Sequence, residues 1–457
     1  MDKIEQYKEL AKEHDLADKL SHFKERFDNS NDFVYLVGNS LGKLPLDTIN
    51  NVNQTVEMDW GKDLISSWNR KWLSLENTIS IKISNILKCN ENEIYVGSST
   101  SENLYKLLKS ILINNSKIKS IISDNLNFPS DNYVAEGIAK DFKDVTFKLL
   151  DYGNEAEANI DKLKEFISKN NGILILSLVS YKSSYRYPIK EINDYCENNN
   201  SIVIWDISHA IGAIDIDFHN TNTKYAVGCT YKYLNGGPGS PAIIYVNEKE
   251  QNILKTPIRG WFSHNSPFDF SNNYEESNSM SRFKSGSPNI IQLSALEKGL
   301  DIILEADTIK LEKKSIELFN LFNKIFNSHL SEKGYNLITP IKDSDRGSHI
   351  TVSHKESWRI SKCLSSPKGR DKKILIDYRP NKFIRISLTP LYTSFEDIYN
   401  LSWRLFNIID EINEQLSTVE KMNLSRKWKH SVFFADEVFG DINNEEWITE
   451  FGSTYPK

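Results

Sequence analysis

The sequence is poor in cysteine and has no long hydrophobic run. Its four cysteines, Cys89, Cys196, Cys229 and Cys363, lie far apart in the 457-residue chain and form no CxxC pair. That spacing is typical of a reduced cytoplasm and argues against a disulfide framework. The longest apolar stretch, residues 172–179, is well short of the roughly 18 residues that a membrane span needs. The charged N-terminal segment MDKIEQYKEL also lacks a signal-peptide core, so we expect a soluble cytoplasmic protein.

An excess of charge of either sign is also absent. Lys and Arg number 56, Asp and Glu number 62, and the net charge of −6 is not concentrated in any run. A dedicated binder of nucleic acid or of an anionic membrane would be basic, so both classes are excluded. The nine histidines show no HxxxH or HExxH spacing, and nothing indicates a metal site.

The hydrophobic pattern changes along the chain. Residues 3–27 have apolar positions at helical spacing, whereas from about residue 93 short apolar runs alternate with helical patterns. Continuously apolar strands separated by helices predict an α/β fold with a mostly parallel sheet flanked by helices. Past residue 300 a long helical stretch leads into two strand patterns and a final helix, which indicates a smaller α+β domain. We expect four parts: an N-terminal helical arm (1–65), a large α/β domain (66–305), the small domain (306–420) and an aromatic-rich extension (421–457) that packs on its own protein or on a partner subunit.

Three predicted strands end in polar residues that suit catalysis. After residues 93–96 comes a turn of small hydroxyl residues in which Ser99 and Glu102 fit a capping box, and a helix N-terminus of this kind can bind a phosphate. The strand 201–205 is followed by Asp206, and the next strand leads to Lys232 in a Gly/Pro-rich turn. Taken singly, these residues are as well explained by a helix cap, a structural carboxylate and a surface lysine.

Together the three features match what pyridoxal phosphate requires. Its phosphate needs an anion site, its pyridine nitrogen needs a carboxylate and its aldehyde needs a lysine amine. Because ligands of parallel sheets bind outside the carboxyl ends of the strands, these groups are expected to lie together.

Longer motifs around these residues resemble one family. The segments WDISHAIGA (205–213) and AVGCTYKYLNGGPGS (226–240) are similar to those of the kynureninases, which are fold-type I pyridoxal-phosphate hydrolases. Shorter matches follow in collinear order over roughly residues 33–410: GNSLG (38–42), FPSD (128–131), GWF (260–262), RF (282–283), RGSH (346–349) and PLY (390–392).

The resemblance assigns roles residue by residue. It implies that Lys232 forms the Schiff base, that Asp206 pairs with the pyridine nitrogen and that Tyr231 contacts the phosphate and helps to move protons. The remaining cofactor-binding residues implied are Thr100, Ser101, Phe128, Asp131, Ser177, His209, Trp261 and Ser287, the last two reaching the phosphate of the other subunit of a homodimer. Arg385 is expected to bind the substrate α-carboxylate, with Ser40 and Trp68 lining the substrate pocket.

The implied reaction is hydrolysis of the Cβ–Cγ bond of L-kynurenine or 3-hydroxy-L-kynurenine to an anthranilate and L-alanine. The pathway is left open between tryptophan breakdown, NAD precursor supply and the synthesis of a specialised metabolite. Two departures bear on the substrate: Ser184 stands where many family members have glycine, and Ser287 where Thr or Asn is usual. The alternatives are a related enzyme acting on another amino acid, a cysteine desulfurase or class V aminotransferase-like enzyme, and a non-catalytic scaffold. A desulfurase needs a cysteine shortly before the arginine, but Cys363 lies 22 residues upstream of Arg385.

Overall fold

The computed structural model describes residues 4–367, 371–379 and 382–421, with side chains up to residue 414. The predicted tail from residue 422 onward lies outside the described residues. The strands are β1 (Phe33–Tyr35), β2 (Ile94–Val96), β3 (Ser120–Asp124), β4 (Thr146–Leu150), β5 (Ile173–Ser177), β6 (Ile202–Asp206), β7 (Tyr225–Gly228), β8 (Ile243–Val246), β9 (Asn336–Leu337), β10 (His349–Ser353), β11 (Lys373–Leu375), β12 (Asp377–Arg379) and β13 (Phe383–Ser387). The α-helices are α1 (Gln6–Ala17), α2 (Leu46–Gln54), α3 (Leu73–Leu87), α4 (Thr100–Asn114), α5 (Pro129–Asp141), α6 (Ile160–Asn170), α7 (Ile189–Asn198), α8 (Glu248–Gln251), α9 (Ile290–Ala306), α10 (Thr308–Ile325), α11 (Ser357–Ser365) and α12 (Phe395–Lys421).

The main sheet has seven strands in the order β2-β8-β7-β6-β5-β3-β4. The strands β4, β3, β5, β6 and β7 are parallel, and β8 runs against both of its neighbours. Strands β3 and β5 are buried along their whole length because helices cover both faces of the sheet, which explains the apolar sequence of β5 up to its final Ser177. The predicted α/β fold with a mostly parallel sheet is confirmed.

A smaller antiparallel sheet has the order β12-β13-β10-β9. Its apolar face, which includes Ile350, Val352, Ile384 and Ile386, packs with α10, α11 and α12 in a separate hydrophobic cluster. Helix α1 joins this cluster, and β1 pairs in parallel with β11, so the N-terminal segment is attached to the C-terminal part of the chain. The four-part division of the chain stays a prediction. Within the described part of the chain, we find no helix with the length and apolar character of a membrane span.

A buried carboxylate, Asp124, ends β3 and holds the turn that follows. Its Oδ1 accepts hydrogen bonds from the backbone N–H groups of Leu126 and Asn127, both at 3.0 Å. Its Oδ2 accepts from the hydroxyls of Tyr187 at 2.6 Å and Tyr152 at 3.1 Å. Burial raises the pKa of the Asp124 carboxyl to about 6, and these hydrogen bonds limit the rise.

The raised pKa of Asp124 predicts that the free energy of unfolding depends on pH. Because the pKa of Asp124 is higher in the folded protein than its ordinary value, the folded state binds more protons, and stability falls as pH rises from about 4 to 6. Compared with an Asp124→Asn variant, the wild type should lose roughly 3 kcal/mol of unfolding free energy across this interval and nothing more above it. Denaturant titrations of both proteins at pH 4, 5, 6 and 7 measure the difference, and a constant difference would show that Asp124 does not titrate there.

Candidate active site

A cavity of about 660 Å³ lies at the carboxyl ends of the main-sheet strands, a size suited to a small molecule and its cofactor. Eight of the predicted site residues line it: Thr100, Ser101, Phe128, Asp131, Asp206, Tyr231, Lys232 and Ser287. The structure thus brings the lysine, the carboxylate and the hydroxyl turn into one space. Their individual roles stay predictions.

The N-terminus of α4 forms one end of this cavity. The predicted capping box is confirmed: Ser99 Oγ accepts from the N–H of Glu102 at 3.3 Å, and the Glu102 carboxylate accepts from the N–H of Ser99 at 2.7 Å. The turn therefore presents free N–H groups and the positive end of the helix dipole to an anion.

Two lysines that the sequence reasoning missed reinforce this end. The buried Lys106 donates to Ser98 Oγ at 2.8 Å and to the carbonyl oxygen of Phe283 at 2.9 Å, tying the α4 turn to the segment that carries Ser287. Lys284 lines the cavity and pairs with Glu76 at 2.8 Å. The two contacts join residues that are 177 and 208 positions apart in the sequence, so no local motif could have predicted them.

Two carboxyls meet at the end of β6. Asp206 Oδ1 accepts from the N–H of Ser208 at 2.8 Å and from its Oγ at 2.5 Å. The buried Asp131 lies beside it, and burial together with the Asp206 charge raises the pKa of Asp131 well above its ordinary value. Asp131 Oδ2 is buried and has no hydrogen-bond partner among the described residues.

Lys232 follows β7 and faces aromatic rings. Its Nζ lies 5.9 Å from the ring centre of Phe128 and 5.7 Å from that of Tyr231. It also lies 3.4 Å from both ring nitrogens of His209, which is not among the residues that line the cavity. Burial, together with the charges of Lys232 and Arg385, keeps the pKa of His209 well below its ordinary value, so this imidazole is neutral at pH 7.

Ser177 supports the backbone of Phe128, the predicted ring-stacking residue, without lining the cavity. Its Oγ donates to Asn127 Oδ1 at 2.6 Å and accepts from the N–H of Phe128 at 3.4 Å. Asn127, which the sequence reasoning missed, also donates to Ser123 Oγ at 3.0 Å. Ser177 thus acts on the site through the turn that carries Phe128.

The predicted carboxylate-binding arginine lies on the small sheet and is fully buried. Arg385 Nη1 donates to the carbonyl oxygen of Tyr181 at 2.5 Å, and Nη2 donates to Ser40 Oγ at 3.1 Å and to Asp377 Oδ2. The structure therefore places Ser40 against Arg385, and the predicted role of Ser40 in the substrate pocket stays a prediction. Asp377 was not predicted; although its own burial opposes this, Arg385 and Arg379 hold the pKa of its carboxyl below the ordinary value.

Known proteins are similar to this chain in sequence and in architecture. The chain is 31% identical over 402 residues to the kynureninase of Pseudomonas fluorescens, covering 87% of this chain and 94% of that protein. The kynureninase of Deinococcus radiodurans is 31% identical over 404 residues, with 87% and 95% covered. This chain belongs to the kynureninase family. The model of the kynureninase C-terminal domain matches residues 311–405.

Solved structures similar to this family member share its fold. A cysteine desulfurase from Thermococcus onnurineus aligns with a TM-score of 0.73 at 13% identity, covering 85% of this chain and 98% of that chain. The desulfurase CsdA from Escherichia coli aligns with a TM-score of 0.71 at 14% identity, covering 86% and 99%. At such identities the likeness shows the fold alone. Cys363, the cysteine weighed for a desulfurase, is buried in the hydrophobic cluster of the small sheet rather than in the cavity.

The residues of this kynureninase-family cavity fit pyridoxal phosphate. The α4 turn with Lys284 offers an anion site, and Lys232 offers an amine for the aldehyde. At the other end lie two neighbouring carboxyls, Asp206 and the buried Asp131, whose Oδ2 has no hydrogen-bond partner among the described residues; this pair suits a donor such as a protonated ring nitrogen facing Asp206. The chain thus supplies a group for each end of the cofactor.

Trp68 and Trp261 are not among the residues that line this cavity of the single chain. Trp68 stacks on Phe262 with ring centres 6.2 Å apart. Trp261 is 42% exposed and stacks on Phe270 at 6.1 Å. The predicted placement of Trp68 in the substrate pocket and of Trp261 at the partner's phosphate stays a prediction. Ser287 lines the cavity of its own chain.

Ser184, which departs from the family pattern, occupies a left-handed backbone conformation with φ of 68°. Glycine adopts this conformation without strain, which explains its use by relatives. Here the buried Ser184 retains the conformation, and its Oγ accepts from the N–H of His349 at 3.3 Å. The serine therefore supplies an acceptor that glycine lacks.

Ser184→Ala separates these two effects. Alanine keeps the backbone strain but leaves the buried N–H of His349 without its acceptor, so we expect a loss of about 1–2 kcal/mol of unfolding free energy. Ser184→Gly loses the acceptor but relieves the strain, and should be the more stable of the two variants. Denaturant unfolding measures both, and an alanine variant at least as stable as the glycine variant would contradict this explanation.

Proposed function

We propose that the protein hydrolyses the Cβ–Cγ bond of L-kynurenine or 3-hydroxy-L-kynurenine, giving anthranilate or 3-hydroxyanthranilate and L-alanine. The observation that carries this proposal is the joint placement of Lys232 and Asp206 in one cavity of a chain that is 31% identical to a kynureninase over 94% of that protein. Pyridoxal phosphate, when bound, supplies an electron sink that stabilises negative charge on the substrate Cα.

The chain's own residues hold the reactants. Thr100, Ser101 and the N-terminus of α4 bind the phosphate, and Phe128 stacks on the ring. Asp206 keeps the ring nitrogen protonated, and burial together with the Asp206 charge raises the pKa of the neighbouring Asp131 well above its ordinary value. Arg385 binds the α-carboxylate of the substrate.

Lys232 accepts a proton during the reaction, and Tyr231 donates a hydrogen bond. The Lys232 Nζ accepts the proton from the substrate Cα, which requires the amine to be neutral at that moment. Burial raises the pKa of Tyr231 above its ordinary value, so its phenol keeps its proton and serves as a hydrogen-bond donor at the phosphate. His209, neutral for the reason given above, adds no charge beside Lys232.

We also propose that the protein is a cytoplasmic homodimer whose subunits share their active sites. Support comes from an exposed group of aromatic side chains, since Trp261, Phe268 and Phe270 are 42%, 50% and 73% exposed and contact one another. Apolar clusters of this kind mark interfaces. Sedimentation should give twice the chain mass, and Trp261→Ala should weaken cofactor binding; a monomer with full cofactor affinity would contradict the proposal.

One assay tests the reaction. The purified protein with pyridoxal phosphate is mixed separately with L-kynurenine, 3-hydroxy-L-kynurenine and L-cysteine, and the products are separated by chromatography. Anthranilate or 3-hydroxyanthranilate together with an equal amount of L-alanine is the expected result. Sulfide from cysteine without either aryl product would replace the proposal by a desulfurase.

A further inference from the structure

The small sheet has one polar face, and that face carries the carboxylate-binding arginine. In the strand register, Asp377 on β12 lies opposite Arg385 on β13, and Arg385 lies opposite Thr351 on β10. Side chains alternate across a strand, so these residues share a face while Ile384 and Ile386 point to the hydrophobic cluster. Arg379, two residues after Asp377, belongs to the same face.

Two guanidinium groups share a single carboxylate on this face. Asp377 Oδ2 accepts hydrogen bonds from Arg385 Nη2, from Arg379 Nη2 at 2.9 Å and from Ser40 Oγ at 2.9 Å. Within residues 4–367, 371–379 and 382–414, Asp377 is the one acidic side chain that forms an ion pair with either arginine. The three charged groups therefore sum to one positive charge.

Both arginines have a hydrogen-bond donor that no described residue satisfies. The Nε atoms of Arg379 and Arg385 are buried and have no hydrogen-bond partner among the described residues. Buried donors of this kind are costly unless a ligand or water satisfies them. The neighbouring His349, a neutral imidazole because burial and Arg385 lower its pKa well below the ordinary value, does not change the charge of the group.

The second arginine changes what the first can bind. Arg385 and Asp377 alone would form a neutral pair, and repulsion by Asp377 would offset part of the attraction between an incoming carboxylate and Arg385. Arg379 offsets the charge of Asp377. With it, the group retains the net positive charge that recognition of an anion requires.

We propose that Arg379 is a specificity-determining residue, which neutralises Asp377 so that Arg385 stays available to the α-carboxylate of the substrate. The inference rests on the proposed function, since it deepens the role of the same substrate site. In this proposal Asp377 holds the Arg385 guanidinium in place, and Arg379 preserves the net positive charge of the three-residue group.

The test compares a carboxylate with its uncharged amide. For the wild type, Arg379→Met, Arg379→Lys and the control Lys372→Gln, kcat/KM is measured on L-kynurenine and on its α-carboxamide. Lys372 is an exposed residue of the neighbouring segment that pairs with Asp32, so its variant removes one positive charge away from the site. Arg379→Met should reduce the preference for the carboxylate about tenfold through a raised KM for L-kynurenine, because one charge close to the site is lost. Arg379→Lys should keep most of the preference, and Lys372→Gln should keep all of it.

A binding measurement supplies a readout that needs no turnover. The dissociation constants of L-alanine and L-alaninamide are determined from changes in the visible spectrum of the bound cofactor, and the same loss of preference is expected in Arg379→Met. An unchanged preference in Arg379→Met, or an equal loss in Arg379→Lys, would overturn the charge-balancing role. A wild type that releases no aryl product from kynurenine would instead overturn the proposed function.

Discussion

Lys232→Ala is expected to lower kcat on L-kynurenine by roughly 10⁴-fold or more, because the variant loses the amine that we propose both binds the cofactor aldehyde and accepts the Cα proton. The fold should persist, since among the described residues the Lys232 side chain forms no ion pair and its polar contacts are the two 3.4 Å approaches to His209. Steady-state kinetics and far-ultraviolet circular dichroism measure the two expectations.

A matched lysine in the same cavity serves as the contrast. Lys284→Ala removes a cation beside the proposed phosphate site but leaves Lys232 in place. It should weaken cofactor binding and, at saturating pyridoxal phosphate, lower kcat by less than about tenfold. If Lys232→Ala kept its turnover while Lys284→Ala lost it, the catalytic lysine would be misassigned.

Arg385→Met is expected to affect stability and substrate binding together. The substitution leaves the buried Asp377 with Arg379 as its remaining ion-pair partner among the described residues, and we expect a loss of about 3 kcal/mol of unfolding free energy. Loss of the guanidinium should raise KM for L-kynurenine by about 100-fold. Denaturant unfolding and steady-state kinetics measure these effects separately.

The double variant Arg385→Met, Asp377→Asn separates the two roles. Removing the buried charge should recover a large part of the lost stability, because the neutral amide needs no counter-ion. It should not restore substrate binding. A double variant as unstable as Arg385→Met would show that the buried charge is not the cause, and recovered KM would show that Arg385 does not bind the carboxylate.

Much of the site was predictable because it follows strand ends. Asp206 is the last residue of β6, Lys232 lies in the turn that follows β7, and the capping box of α4 is a local motif. The parallel topology then brings these ends to one edge of the sheet, so local patterns were sufficient to predict a shared cavity.

The rest depends on contacts between distant segments. Asp377 meets Ser40 across 337 residues, and Lys106 meets Phe283 across 177 residues. The alternation of Asp377 and Arg379 along β12 was a visible signal, but it did not reveal that the partner strand carried Arg385. In the same way, the exposed position of Trp261 reflects the surface of a single chain, and its predicted role in a dimer stays a prediction.

The most direct test of the account identifies the lysine that carries the cofactor. The protein is loaded with pyridoxal phosphate, reduced with borohydride, digested and analysed by mass spectrometry for a phosphopyridoxyl group. We predict stoichiometric modification of Lys232. Modification of Lys106 or Lys284 in its place would contradict the central claim that the ends of β6 and β7 hold the two ends of one cofactor ring.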